Sequence, residues 1–400
     1  MTGTEGIKMF SRNSMALLTM LLMFPQIVET IYSPALTDIA LQFSVSTQEA
    51  SQTLSVYFFG FAFGVLAWGR ISDIYGRRPA LLGGLLVYGT GSLTALLAKD
   101  FSVILIARVL AAFGAACGSV VTQTIFRDRF SGNALAKIFS FIGMALAISP
   151  AIGVYLGGVL ASFGGYRMVF ASLATLALVL LAWSCFTLEE TRPAMTNSTP
   201  FTSVLHRTIK DGKLWQATIL VTLFNVSLFS YYSLAPFMFQ RLGQTPESFG
   251  YTGVILAAGS VVGAQINRLL LKSQRGSDVI LPIALMMNII GGTGVYLLAN
   301  SLWFLAPMAI VMISYSMAIP VVLGSALSAY NDCRGTAGAL FGLFYYLLIA
   351  LGLGLSGVFQ SLGLTLIINA IIIALIGWRY ILRLRAENGG LGRGMTAHKK

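Results

Sequence analysis

Two ionisable side chains lie deep inside long apolar runs of this chain: Glu29, within residues 14–36, and Arg108, within residues 102–124. A charge inside an apolar spanning helix is costly and needs a partner or a watery cavity. The chemistry open to such a pair is proton exchange. Apolar surroundings favour a neutral carboxyl and a neighbouring cation favours a charged one, so a carboxyl moved between two surroundings takes up and releases a proton. Gln26, Thr30, Tyr32 and Ser33 flank Glu29 with hydrogen-bonding groups. The two runs cross in opposite directions, and a rise of about 1.5 Å per residue puts both residues about 7 Å beyond the midplane on the same side. Equal depth predicts that Glu29 and Arg108 approach, directly or through water. His206 and His398 fall outside the apolar runs and do not suit such a relay. No Walker sequence, dinucleotide-binding glycine loop or HExxH zinc motif is present. The chain is not read as an enzyme, and no cofactor or metal is expected.

Composition sets the elements that must hold these residues. Of 400 residues, 56% are hydrophobic and only 10% charged, with a mean hydropathy of +0.80. A soluble domain carries about 25% charged residues, so this is an integral membrane protein with almost no extramembrane domain. Apolar runs of spanning length fall at 14–35, 51–69, 80–98, 102–124, 135–160, 167–187, 214–238, 250–270, 279–299, 302–324, 335–358 and 362–382. They predict an all-α fold of twelve membrane helices, because open strand edges are not tolerated in hydrocarbon. The first run is long and lacks a small-residue cleavage site, so it reads as an uncleaved span. The 42 glycines suit close helix–helix approach in lipid. Cys117, Cys185 and Cys333 are far apart, form no disulfide framework, and read as inert buried thiols.

With both termini assigned to the cytoplasm, that side holds twenty-two Lys and Arg residues, and the outer side only Lys99, Arg167 and Arg241. This is the positive-inside pattern. It assigns the net charge of +12 to short loops facing anionic lipid heads rather than to nucleic acid. Residues 189–213, rich in Thr, Ser, Pro and charge, read as a cytoplasmic linker. They divide an N-terminal six-helix bundle, 1–188, from a C-terminal one, 214–385, which a cytoplasmic tail, 386–400, follows. Gly60 and Gly64, ahead of Arg70 and Asp73, are matched by Gly259 and Gly263, ahead of Arg268 and Lys272, the glycines at an offset of 199 residues. Two parallel repeats of this kind describe a known transporter arrangement.

After the second span the chain reads Gly69-Arg70-Ile71-Ser72-Asp73-Ile74-Tyr75-Gly76-Arg77-Arg78-Pro79. This resembles the G-x-x-x-D-x-x-G-R-R/K signature of the major facilitator superfamily, whose fold is two pseudo-symmetric six-helix bundles. The resemblance implies a conformational switch made of Gly69, Asp73, Gly76, Arg77 and Arg78, with Asp73 bracing the halves near the start of the eleventh span. In the fourth span, Arg108, Ala112, Ala116, Ser119 and Gln123 form a small and polar stripe. Arg108 and Gly114 resemble the family's arginine motif there. In the fifth span, Gly143, Pro150, Gly153, Gly157 and Gly158 resemble the antiporter signature G-P-x-x-G-G, with Ser149 in place of a glycine. Pro150 is expected to bend that helix, and the glycines to press it on a helix of the other half. Tyr32-Ser33-Pro34-Ala35-Leu36 resembles the sequence that closes the first helix of the Bcr/CflA drug exporters. Their acid stands where this chain has Thr30, one residue after Glu29.

The second half places polar residues among Phe and Met, which suits a broad apolar pocket with few polar contacts. The expected substrate-binding residues are Glu29, Tyr32, Gln123, Asn225, Tyr232 and Tyr346, with Glu29 and Arg108 coupling protons. The resemblance implies a proton-coupled antiporter exporting drug-like or amphiphilic small molecules by alternating access. The alternative is a dedicated exporter of one endogenous metabolite such as an amino acid, nucleoside or siderophore; the helix-five signature argues against a symporter. The expected place is a bacterial inner membrane. The expected partners are a small-molecule substrate, protons and membrane lipid, the energy source is the proton gradient, and the chain is read as a monomer that binds no nucleic acid.

Overall fold

The structure, a computed structural model, describes residues 12–192, 201–272, 276–330 and 333–397. Within them the regular structure is helical: α1 Arg12–Thr30, α2 Thr47–Tyr75, α3 Arg77–Leu96, α4 Phe101–Arg129, α5 Gly132–Thr187, α6 Phe201–Lys210, α7 Gly212–Arg241, α8 Pro246–Leu271, α9 Gly276–Leu297, α10 Leu305–Ala326, α11 Arg334–Phe359 and α12 Leu362–Ala397. Short helical turns, Ser33–Ala35 and Leu36–Gln42, follow α1. His398, expected in the tail, lies outside the described residues.

Eleven helices among the described residues are long and apolar enough to cross a membrane. One of them, 148–187, has 40 residues, about 60 Å of helix against a hydrocarbon core of about 30 Å. It is broken at Gly164 and Gly165, where Gly165 takes φ +62°, so α5 carries both the fifth and the sixth span. The left-handed conformation favours glycine. Asp38 occupies the space a side chain would need: a β-carbon on Gly165 would lie 2.3 Å from Asp38 Oδ2. The same oxygen accepts from Tyr166 N at 2.7 Å and so caps the new helix start.

Other ends have local causes. Ser46 and Glu49 form a capping box at the start of α2, with Glu49 N donating to Ser46 Oγ at 3.1 Å and Ser46 N to Glu49 Oε2 at 2.8 Å. Within the expected linker, residues 201–210 form α6. Val204 and Thr208, one turn apart, are buried, and an apolar stripe of that spacing suffices to fold a short helix against its neighbours. Within the expected tail, α12 continues to Ala397. Cys117 and Cys333 are buried as expected, but Cys185 is exposed, because it lies on an outer face of the last turns of α5.

Contacts divide the chain into two units. One takes residues up to 198 with 232–257 and 342–360; the other takes 199–231, 258–341 and 361 onward. In the first unit, glycines set the spacing of neighbouring helices. A β-carbon on Gly60 would come 2.4 Å from Val109 O, and one on Gly64 2.5 Å from Phe113 O, so α2 rests backbone to backbone on α4. Gly114 lies equally close to the backbone of Tyr88 on α3. In the second unit, Gly259 and Gly263 face the carbonyls of Ala309 and Ile313 in the same manner, joining α8 to α10.

Candidate functional site

Glu29 is the penultimate residue of α1 and is 8% exposed; Arg108, on α4, is 2% exposed. Both belong to the first unit, and Arg108 is near enough to act electrostatically on Glu29. They do not form the direct contact that equal depth allowed: the ion pairs among the described residues do not include them. The guanidinium is held between two aromatic rings instead, 4.2 Å from the centroid of Tyr32 and 4.3 Å from that of Tyr57. A desolvated cation–π contact stabilises by about 2 kcal/mol, so the two rings compete well for the charge.

Backbone approach explains the sandwich. Gly60 lets α2 touch Val109, the residue after Arg108. Tyr57, one turn before Gly60 on the same face, is thereby carried to the guanidinium. Tyr32 arrives from the other side, in the turn that follows α1. Among the described residues, buried polar atoms without a hydrogen-bond partner gather here: Glu29 Oε1, Arg108 Nε and NH2, and the hydroxyl of Tyr57. Leaving one such atom unpaired costs about 1–3 kcal/mol, so a fold that keeps several in one place holds them ready for another partner.

An aromatic wall continues from this cluster. Tyr57 stacks on Phe61 at 6.2 Å, and Tyr346 of α11 stacks on Phe58 at 6.1 Å and meets Phe61 edge-on at 4.8 Å. Tyr345 lies against Tyr346 at 4.3 Å and interacts electrostatically with Glu29. The structure thus brings together Glu29, Arg108, Tyr32 and Tyr346, and adds Tyr57, Phe58, Phe61, Tyr88 and Tyr345. Nothing in the spacing of α2 marks Tyr57; only its distance from Gly60, read with the partner helix known, could have found it.

Of the remaining expected binding residues, Gln123 and Asn225 lie elsewhere. Gln123 is fifteen residues beyond Arg108 on α4, about 22 Å along the helix, and donates to Ser119 Oγ at 3.4 Å. Asn225 belongs to the second unit. It donates to Val221 O at 2.7 Å and accepts from Tyr315 OH at 3.2 Å. Tyr232 is buried, and its carbonyl accepts from the hydroxyl of Ser33. Further ties join segments of the first unit: Gln52 Nε2 donates to Gly354 O at 3.1 Å and Ser55 Oγ to Ala350 O at 2.6 Å.

The loop motif forms a tight network. Gly76 takes φ +110°, and a β-carbon there would lie 2.4 Å from Glu190 Oε2. The buried Arg77 side chain donates from NH1 to Asp73 Oδ1 at 2.7 Å and from Nε to Asp128 Oδ2 at 2.8 Å. Glu190 accepts from Arg77 N at 2.8 Å and Arg78 N at 3.1 Å. Arg78 NH2 donates to Cys185 O at 2.8 Å. Partial burial works against the Glu190 charge, but the backbone N–H groups of Arg77, Arg192, Arg78 and Thr191 outweigh it and hold the carboxyl below its usual range. Sequence reading missed Asp128 and Glu190, because both lie far along the chain from residues 69–79. Asp73 is half exposed and bonds Arg77. Gly69 has only an ordinary contact, with Val120.

The fifth-span glycines separate into three roles. Gly153 and Gly157 press on α1, not on the other half of the sequence: their β-carbons would meet Thr30 Oγ1 at 2.0 Å and Ile31 O at 2.1 Å. Gly158 does face a later helix, since its β-carbon would lie 2.8 Å from Gly250 Cα of α8. A β-carbon on Gly143 would meet nothing within 4 Å among the described residues. Pro150 lies inside α5, which runs on past it, with Ser149 Oγ donating to Ala145 O at 2.7 Å beside it.

Residues 17–353 match the family profile described as Major Facilitator Superfamily. An uncharacterized transporter of Rickettsia bellii is 31% identical over 340 residues, 81% of this chain and 84% of that protein. A chloramphenicol resistance protein of Pseudomonas aeruginosa is 29% identical over 321 residues, 78% of this chain and 75% of that one. The crystal structure of a D-xylose-proton symporter shares the fold with a TM-score of 0.74 at 16% identity, covering 92% of this chain and 97% of that one. The family profile and the two sequence relatives bear out the family resemblance read from residues 69–79 and 32–36. The chain belongs to the major facilitator superfamily and is a multi-pass membrane transporter, not an enzyme.

Proposed function

We propose that the protein is a proton-coupled antiporter that exports drug-like or amphiphilic small molecules by alternating access. One observation carries this reading: a buried acid, Glu29, stands beside a buried cation that two tyrosine rings hold. An acid not locked in an ion pair is free to exchange a proton, and its affinity for that proton changes with its surroundings. The wall of Tyr57, Phe58, Phe61, Tyr345 and Tyr346 supplies an apolar surface for an amphiphile next to the acid. Proton and substrate then compete for one place, which is the physical basis of exchange. The proton gradient is the energy source, with no cofactor. The partners are a small-molecule substrate, protons and lipid, and the protein acts as a monomer that binds no nucleic acid.

The loop charges support a bacterial inner membrane with both termini in the cytoplasm. In that orientation, Ser33–Tyr232, Gln52–Gly354 and Ser55–Ala350 tie segments of the first unit together toward the outer side. A relative named for chloramphenicol resistance and another for bicyclomycin resistance support drug-like cargo. The test is accumulation of chloramphenicol and bicyclomycin in an efflux-deficient host, with and without a protonophore, followed by proton-driven efflux in everted vesicles. Glu29→Gln is expected to abolish proton-driven efflux. Undiminished proton-dependent efflux by that variant would overturn the coupling role.

A further inference from the structure

A groove of about 420 Å³ opens in the second unit, lined by Ala264, Asn267, Arg268, Leu271, Lys272, Ser316 and Pro320. Its origin is the crossing of α8 and α10. At Gly263 the helices touch, a β-carbon there lying 2.6 Å from Ile313 O, and Ser316 Oγ donates to Ser260 Oγ at 3.0 Å. Beyond that contact, toward the end of α8 that the loop charges assign to the cytoplasm, Asn267 lines the open space while its Nδ2 donates to Met317 O at 3.3 Å, and Pro320 stands inside α10. Arg268, in the last turn of α8, and Lys272, the residue after its end, carry two cations at the mouth. Leu271 in its lining is an exposed apolar side chain, as are Leu269 on α8 and Leu323 on α10.

The equivalent place in the first unit is closed. The 199-residue offset aligns Asn267 with Trp68 and Lys272 with Asp73. The indole of Trp68 donates from Nε1 to Phe113 O at 2.7 Å and lies 3.4 Å from a β-carbon placed on Gly83. The groove therefore comes from the residues of the second half and not from the fold.

We infer that this groove is a binding site for an anionic phospholipid headgroup of the cytoplasmic leaflet. The phosphate meets Arg268 and Lys272, and the acyl chains run along the exposed leucines. A basic pocket between membrane helices on that side selects this chemistry, and a lipid is the one anion that matches both the cations and the apolar flank.

The test is native mass spectrometry of the purified full chain, titrated with dioleoyl phosphatidylglycerol, with dioleoyl phosphatidylcholine and inorganic phosphate as comparisons. One tightly held phosphatidylglycerol per chain is expected, with phosphatidylcholine held far more weakly. Each cation near an anionic lipid contributes about fivefold, so Arg268→Gln with Lys272→Gln weakens binding roughly thirtyfold. A control pair, Arg70→Gln with Lys210→Gln, removes two exposed cytoplasmic cations elsewhere and leaves this binding in place. Asn267→Trp keeps both cations but fills the groove, and is expected to lose the lipid. Equal weakening by both charge pairs, or wild-type binding by Asn267→Trp, overturns the site. Displacement of the lipid by inorganic phosphate at matched concentration overturns the lipid as its ligand.

Discussion

The crossing of α2 with α4 and the crossing of α8 with α10 are one piece of backbone geometry built twice, with opposite contents. In each, two glycines four residues apart lie against carbonyls four residues apart on the partner: Val109 and Phe113 in the first, Ala309 and Ile313 in the second. Beside the first crossing stands Arg108 with Tyr57. The same spacing puts Met308 and Leu256 at the matching positions of the second half. At the other end, Trp68 closes the first crossing while Asn267 leaves the second open. Glycine determines how near two helices come, and the neighbouring side chains decide whether the contact carries a charge, a hydrophobic seal or a recess.

The largest expected effect tests how equal the two crossings are. Gly60→Ala would force a β-carbon to within 2.4 Å of Val109 O, whereas the nearest atom at Gly259 is 3.1 Å away. Gly60→Ala should destabilise by about 3 kcal/mol and Gly259→Ala by under about 1 kcal/mol. Thermal unfolding of the detergent-purified chain checks this, and equal losses would show that the first crossing is no tighter than the second. Next in size, Arg108→Met gives the first crossing the residue of the second. The substitution removes the guanidinium from between the rings of Tyr32 and Tyr57, a contact that stabilises by about 2 kcal/mol when desolvated, so the melting temperature should fall while proton-driven efflux is lost. Retained efflux would make the two crossings functionally interchangeable.

The smallest effect concerns the loop that follows α2. The Glu190 carboxyl is held below its usual range by four backbone donors. A depressed acid contributes stability that is fully present above the unfolded value, about 4.3, and is lost as pH falls through the folded value. The chain should therefore lose stability on acidification from pH 5 toward pH 3, and Glu190→Gln should show a smaller loss over that window. An unchanged pH profile in unfolding experiments would remove Glu190 from the network around Gly76.

Much of the architecture was legible in the residues themselves. The apolar runs marked the spans, and the glycines at 60, 64, 259 and 263 marked a repeat whose helix crossings only the structure shows. The break between the fifth and sixth spans was legible only as a gap in hydropathy. Its position at Gly164–Gly165 depends on Asp38, more than a hundred residues earlier. The equal depth of Glu29 and Arg108 was enough to place them in one buried cluster. It did not reveal that Tyr57 would take the guanidinium, since that depends on which face of α2 Gly60 turns toward α4. The fifth-span glycines were recognised as packing residues, but two of them had α1 as partner. Linker residues 201–210 gave no sign of their helix because polar composition masks the one-turn spacing of the buried Val204 and Thr208.

Sequence alone therefore determined that this chain lives in a membrane, how many times it crosses, and which few residues could carry charge there. Those properties follow from transfer of side chains and backbone between water and hydrocarbon, which each segment undergoes largely by itself. Tertiary structure decided the partner of each of those residues: tyrosine rings for Arg108, Asp73 and Asp128 for Arg77, open space at the end of α8. Partnership depends on close approach between helices distant in the chain, and the absence of a β-carbon at a few glycines is what permits it.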